Sequence, residues 1–151
     1  MTHILNLPSR KVFIRDLSVS ARVAASLPEG PSAGQSQGKK LKEWLVTCSG
    51  KEFSLTVAWL QGTLIEVNDR DGYLWLDDGT GLAKISGHNK LPFMSYVLSK
   101  GQYVMVIGKM VSAGECPSLL AIKVQILYDQ ENAQRAWPIE VKDQILYASS
   151  S

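Results

Sequence analysis

Residues 53–67 read Phe-Ser-Leu-Thr-Val-Ala-Trp-Leu-Gln-Gly-Thr-Leu-Ile-Glu-Val, and the reading of this stretch decides the fold class. Leu55, Val57 and Trp59 alternate with smaller or polar residues, the period of a strand, and Leu64, Ile65 and Val67 resume beyond Gly62. A strand of this length with an interior glycine predicts a bulge or sharp bend, the device by which one first strand serves two sides of a closed barrel. Asn68-Asp69-Arg70-Asp71-Gly72 follows at once. Its Asp-Gly pair supplies the positive backbone angle of a tight turn, so a hairpin is predicted there.

Toward the C-terminus the same grammar continues. Tyr73 to Leu76 is the second strand, Asp77-Asp78-Gly79-Thr80-Gly81 a turn, and Leu82 to Ile85 the third strand. Residues 87–99 contain Pro92 and mixed polarity, which predicts a loop or short helix leading to the fourth strand, Tyr103 to Val111, interrupted by Gly108. The fifth strand is Leu119 to Ile126, with Lys123 and Gln125 turned away from Ile122, Val124 and Ile126. This order is that of an all-β chain folded as a five-stranded OB-fold barrel. Beyond Tyr128 the period changes: Trp137, Val141 and Ile145 recur every four residues while Lys142 and Gln144 fall off the stripe. An amphipathic helix is predicted over residues 132–148, with Pro138 in its first turn or at a kink.

Toward the N-terminus, Pro28 to Lys40 is rich in Pro, Gly, Ser and Gln and predicts a flexible linker. The expected organisation is a flexible N-terminal extension and linker at 1–43, the barrel at 44–128, and the helix and tail at 129–151. A chain of 151 residues with 45% apolar content fills one core. Residues 1–43 hold seven Lys/Arg against three Asp/Glu, and residues 44–151 nine against eleven, so the folded part as a whole is slightly acidic. A domain that grips phosphates normally carries a basic excess, because counterion release drives that binding.

Candidates for chemistry are few. Cys48 and Cys116 belong to no C-x-x-C pair and have no histidine at ligand spacing, so both are read as reduced thiols and no metal site is expected. His3 lies in the tail, and His88 is expected to be a solvated loop side chain without a catalytic partner. Asp77 and Asp78 are consecutive, pointing to opposite faces before a turn, and Gly79-Thr80-Gly81 lacks the context of a phosphate loop. An enzyme would need a base near Cys116 or Ser118 that the periodicity does not supply. No catalytic residue and no cofactor is therefore expected.

Tyr73 and Trp75 share one face of the second strand, where OB barrels stack bases, and Lys84 on the third is the accompanying cation. These three are the candidate site for the alternative reading, an autonomous single-stranded-DNA-binding protein. The absence of interleaved Arg or Lys favours packing for Trp75. No apolar run reaches the roughly 18 residues of a membrane span. The first 28 residues are basic and contain serines, as a transit peptide would, but Asp16 interrupts the basic face and the apolar spacing is irregular. An intracellular protein without a membrane segment is the expectation.

Four stretches carry a resemblance: Val57-Ala58-Trp59-Leu60-Gln61-Gly62, Gly101-Gln102-Tyr103-Val104-Met105-Val106-Ile107-Gly108, Leu119-Leu120-Ala121-Ile122-Lys123 and Trp137-Pro138-Ile139-Glu140-Val141-Lys142-Asp143. In that order and spacing they resemble the RecQ-mediated genome instability protein 2 family. The resemblance implies a small, nuclear, non-catalytic OB-fold subunit that pairs with the C-terminal OB domain of the larger RecQ-mediated genome instability protein 1. Through it the subunit would join a Bloom-type RecQ helicase and topoisomerase III in dissolving double Holliday junctions, without strong DNA binding of its own. By position, Lys123 and Trp137 fall on the family's fifth-strand lysine and helix-start tryptophan, at the surface shared with the larger subunit and further partners. Ile139, Val141 and Ile145 complete the expected partner-binding set, with the Val141 and Ile145 stripe facing a partner helix and left in water in an isolated chain. Pro138 departs from the family pattern, and the loop from Ser86 to Ser99 has no counterpart in it.

Overall fold

The barrel closes on one strand, β5 (Val57–Asn68). In the computed structural model, which describes residues 9–20, 22–23, 43–48, 50–92 and 97–148, the first half of β5 pairs antiparallel with β8 (Tyr103–Ser112) and the second half with β6 (Tyr73–Asp77). The register shifts between Leu64 and Glu66, which is the predicted bulge. Gly62 serves a different purpose. A Cβ there would lie 2.4 Å from the carbonyl oxygen of Asp77, so the absence of a side chain lets the end of β6 approach the bend. β7 (Leu82–Ser86), β9 (Ser118–Ile126) and an edge strand, β1 (Ser9–Lys11), complete the sheet in the order β1-β5-β6-β7-β9-β8. The β5–β6 turn is built as expected, with Gly72 at φ 77° and its amide donating to the Asn68 carbonyl at 2.9 Å.

The core holds the alternate residues of each strand: Leu74 and Leu76 of β6, Ala83 and Ile85 of β7, Val104 and Val106 of β8, Leu119, Ala121 and Val124 of β9. Three expectations are corrected around it. Residues 53–67 are not one strand: β4 (Lys51–Leu55) ends at a bend at Thr56, and it pairs with β3 (Trp44–Cys48), which pairs with β2 (Arg22–Val23). The alternation of Leu55 and Val57 hid this bend because Leu55, Thr56, Val57 and Ala58 are all buried where the chain passes between the two sheets.

Residues 9–20 are likewise no free extension. β1 (Ser9–Lys11) runs parallel to β5, and Val12, Ile14 and Leu17, the last two in the helix α1 (Ile14–Ser20), are fully buried in the same core. Asp78 holds the segment in place: one carboxylate oxygen accepts from the Ile14 amide at 2.8 Å, and the other accepts from Thr80 and Gly81 in its own turn. The linker expected at residues 28–40, and His3, lie outside the described residues.

His88 is the third correction. It sits in a 3-10 turn, His88–Lys90, is 3% exposed, and its Nε2 lies 2.8 Å from Asp69 Oδ1. A loop histidine became a buried tie between the β5–β6 turn and the loop after β7.

Candidate protein-interaction surface

The C-terminal helix, α2, spans Gln130–Ala148 and lies against the barrel beside β1 and β5. It starts earlier than predicted because Asp129 begins it: the Asp129 carbonyl accepts from the Ala133 amide at 3.0 Å, and its carboxylate from Asn132 at 2.8 Å. Pro138 therefore stands in the helix interior and not in its first turn.

Trp137 and Val141, one helical turn apart, are 3% and 0% exposed and belong to the barrel's own core. The expectation that this stripe waits in water for a second chain is thereby corrected for both residues. The periodicity identified an apolar face, and the barrel surface beside β1 and β5 is what covers it. The side chain of Ile145 lies outside the described residues. On the opposite side of α2, Arg135, Ile139, Lys142 and Asp143 are exposed, and Ile139 at 68% is an isolated large apolar side chain among charges. Lys123 is exposed on β9, opposite Ile107 of β8.

Between α2, α1 and the β5–β6 end of the barrel runs a groove of about 600 Å³. Phe13, Ile65, Tyr103, Trp137 and Pro138 give it apolar walls, and Arg15, Asp77 and Lys142 bring charge. Trp137 thus has two roles in one side chain: its bulk fills the core, and its edge lines this groove, with the buried Nε1 donor lacking a hydrogen-bond partner among the described residues. Such an indole N–H ordinarily finds an acceptor. Burial pushes the Tyr103 phenol up to about 12, with the nearby charges of Asp78 and Glu140 adding to the effect, and its hydroxyl donates to Gln61 Oε1 at 3.3 Å. Phe13, Ile65 and Tyr103 were not picked out as site residues from the sequence, because nothing in their spacing places them beside α2.

The alternative site is also assembled. Tyr73, Trp75 and Lys84 lie half-buried on one outer face, Trp75 directly opposite Lys84, with the Lys84 ammonium 5.0 Å from the centre of the Tyr73 ring. Tyr73 donates its hydroxyl to Glu66 Oε2 at 3.1 Å, and Glu66 pairs with Trp75 across β5–β6. Lys84 is thus engaged with an aromatic ring, and the Glu66 carboxylate stands beside both aromatics. Among the described residues no group of three or more His, Cys, Asp or Glu could hold a metal ion, and no helix is long and apolar enough to cross a membrane.

The sequence that builds this barrel and helix is matched over residues 8–145 by the model of the RecQ-mediated genome instability protein 2 family. The chain belongs to that family. Among relatives, RecQ-mediated genome instability protein 2 of Bos taurus is 29% identical over 137 residues, covering 84% of this chain and 86% of that protein. The Gallus gallus protein of the same description is 33% identical over 90 residues, covering 59% of this chain and 66% of that one. The fold itself is shared with a chain of a replication protein A heterotrimer bound to single-stranded DNA, at a TM-score of 0.58, 15% identity, and coverage of 92% and 96% of the two chains. Family membership makes the chain an OB-fold protein of RecQ-linked genome stability.

Proposed function

We propose that the chain is a non-catalytic, nuclear scaffold subunit that pairs through α2 with the OB domain of the larger RecQ-mediated genome instability protein 1, and through it serves a RecQ helicase and topoisomerase III in double Holliday junction dissolution. The observation that carries this reading is the division of labour on α2. Trp137 and Val141 fix the helix to the barrel, while Ile139 stands 68% exposed on the other side. A helix already anchored by one face loses little further freedom when its second face is covered, so a partner helix meets a pre-organised surface. Ile139, not Val141, is then the apolar residue offered outward. Lys123 and the groove edge of Trp137 are offered to further partners of the assembly.

Capture of the larger subunit's OB domain by the purified chain tests the proposal. Ile139→Glu should weaken capture about tenfold or more, the cost of placing a charge in the centre of an apolar contact, with the circular dichroism of the isolated chain unchanged. Undiminished capture by that variant would remove α2 from the interface. The single-strand-binding reading is disfavoured by Glu66 beside Tyr73 and Trp75.

A further inference from the structure

α2 has a weak point in its middle. Pro138 has no amide hydrogen to donate back toward Gln134, and its ring crowds the preceding turn, so a helix interrupted this way is free to bend there. The half before the proline is held at its start by Asp129. The half after it carries Ile139, and among its described side chains Val141 is the buried apolar hold on the barrel. One buried residue fixes the depth of a helix segment without fixing its direction.

Two bonds from a residue near the N-terminus reach this half of the helix. The backbone amide of Lys11 donates to Gln144 Oε1 at 2.6 Å, and its ammonium pairs with Glu140 Oε1 at 2.9 Å. Both partners lie beyond Pro138 and one helical turn apart, so the two bonds define a line along the helix. The same ammonium stands 5.7 Å from the centre of the Trp59 ring on β5, which ties that line to the barrel wall. Lys11 itself is immobilised: Ser9, Arg10 and Lys11 pair with Val57, Ala58 and Trp59, the Val12 amide donates to the Trp59 carbonyl at 3.2 Å, and Val12, Ile14 and Leu17 are fully buried immediately after it.

We infer that β1 is a strap across the barrel and that Lys11 is a positioning residue, joining the strap to Glu140 and Gln144 so that the half of α2 carrying Ile139 points in one direction. The strap's hold on the barrel is apolar and deep. Its hold on the helix is polar and half-exposed, so the helix end can be released while the strap stays seated. The effect on partner binding rests on the reading of α2 as the partner-facing helix; the effect on the helix does not.

The test uses the full chain and four variants: Lys11→Met, which keeps the packing on Trp59 and removes the charge, Lys11→Glu, Glu140→Lys, and the double swap Lys11→Glu/Glu140→Lys. Amide hydrogen exchange is read in residues 139–148 and in β5 and β8, beside affinity for the larger subunit's OB domain. Lys11→Met should speed exchange in the helix segment about threefold, and Lys11→Glu somewhat more, the scale of a half-exposed ion pair, with β5 and β8 unmoved. The double swap should return both exchange and affinity toward the wild type, and salt near ~1 M should shrink the wild-type advantage. Exchange in residues 139–148 that ignores Lys11→Glu, or that the double swap does not recover, overturns the strap. If exchange responds and recovers while no chain, wild type included, captures the OB domain, the strap stands and the proposed partnership falls.

Discussion

The two faces on which a partner could settle differ in what they leave unfinished. On the β6–β7 face, where OB barrels take single strands, Lys84 covers the ring of Tyr73, the Tyr73 hydroxyl is bonded to Glu66, and Glu66 pairs with Trp75. On the α2 side, Ile139 stands in water, and the Trp137 Nε1 donor, beside a groove of mixed apolar and charged lining, has no hydrogen-bond partner among the described residues. Both faces contain a tryptophan and a lysine, so residue type does not separate them. What separates them is whether neighbouring residues already satisfy those groups.

The largest effect that would break this contrast concerns Trp137. Because its bulk is core, Trp137→Ala should cost about 3 kcal/mol or more of stability, read as a lowered midpoint of urea unfolding in the isolated chain. A loss of partner capture with no change in that midpoint would return Trp137 to the role of a purely external contact. Next in size is Ile139→Glu, which belongs to the opposite side of the same helix: stability within about 0.5 kcal/mol of the wild type, together with the loss of capture described above. The two variants should therefore separate folding from pairing on one helix.

The β6–β7 face is tested by oligonucleotide titration. With Glu66 in place, the isolated chain should give no salt-dependent shift of a labelled single strand, and Trp75→Ala should change nothing in that assay. A strong shift that falls with salt and disappears in Trp75→Ala would reverse the contrast and favour the autonomous DNA-binding reading.

The smallest effect is on pH dependence. Burial raises the Cys48 thiol from its ordinary 9.0 to about 12, with Asp16 next to it adding to the shift, and raises Tyr103 from 10.0 to about 12. A raised folded-state value means the folded chain holds the proton more tightly than the unfolded one. The associated stability is thus complete below the ordinary values and lost as pH climbs through about 12. Thermal unfolding followed across alkaline pH should show this decline, and Tyr103→Phe should make it shallower. Asp16, where burial also raises the carboxyl, follows the same sign in acid: its protonated form suits the folded chain, so Asp16→Asn should match or exceed wild-type stability at neutral pH and lose that advantage as the pH falls.

Much of the barrel was legible because its signals are local. Alternation along Tyr73–Leu76 and Leu119–Ile126, the Asp-Gly turn, and the four-residue recurrence of Trp137 and Val141 each report a face within a few residues of chain. The bend at Thr56 was not legible, since a bend with apolar residues on both sides leaves the same letters as a continuous strand. Nor was the docking of residues 9–20. Val12, Ile14 and Leu17 have no regular period because their surroundings are made by residues far along the chain: Asp78 and Thr80 hold the amides of Ile14 and Arg15 from a turn more than 60 residues away. His88 was misplaced for the same reason, its partner Asp69 being 19 residues distant.

By itself, then, the sequence determined that there is a barrel, where β6 to β9 fall in it, and that the last helix has an apolar side. Only the tertiary structure decided what covers that side. A hydrophobic period states that a face must leave water, and it is indifferent to whether the covering surface belongs to the same chain or another. The choice rested on geometry: α2 follows directly on β9 and lies within reach of β1 and β5, so Trp137 and Val141 are sheltered by their own barrel and Ile139 is left outside.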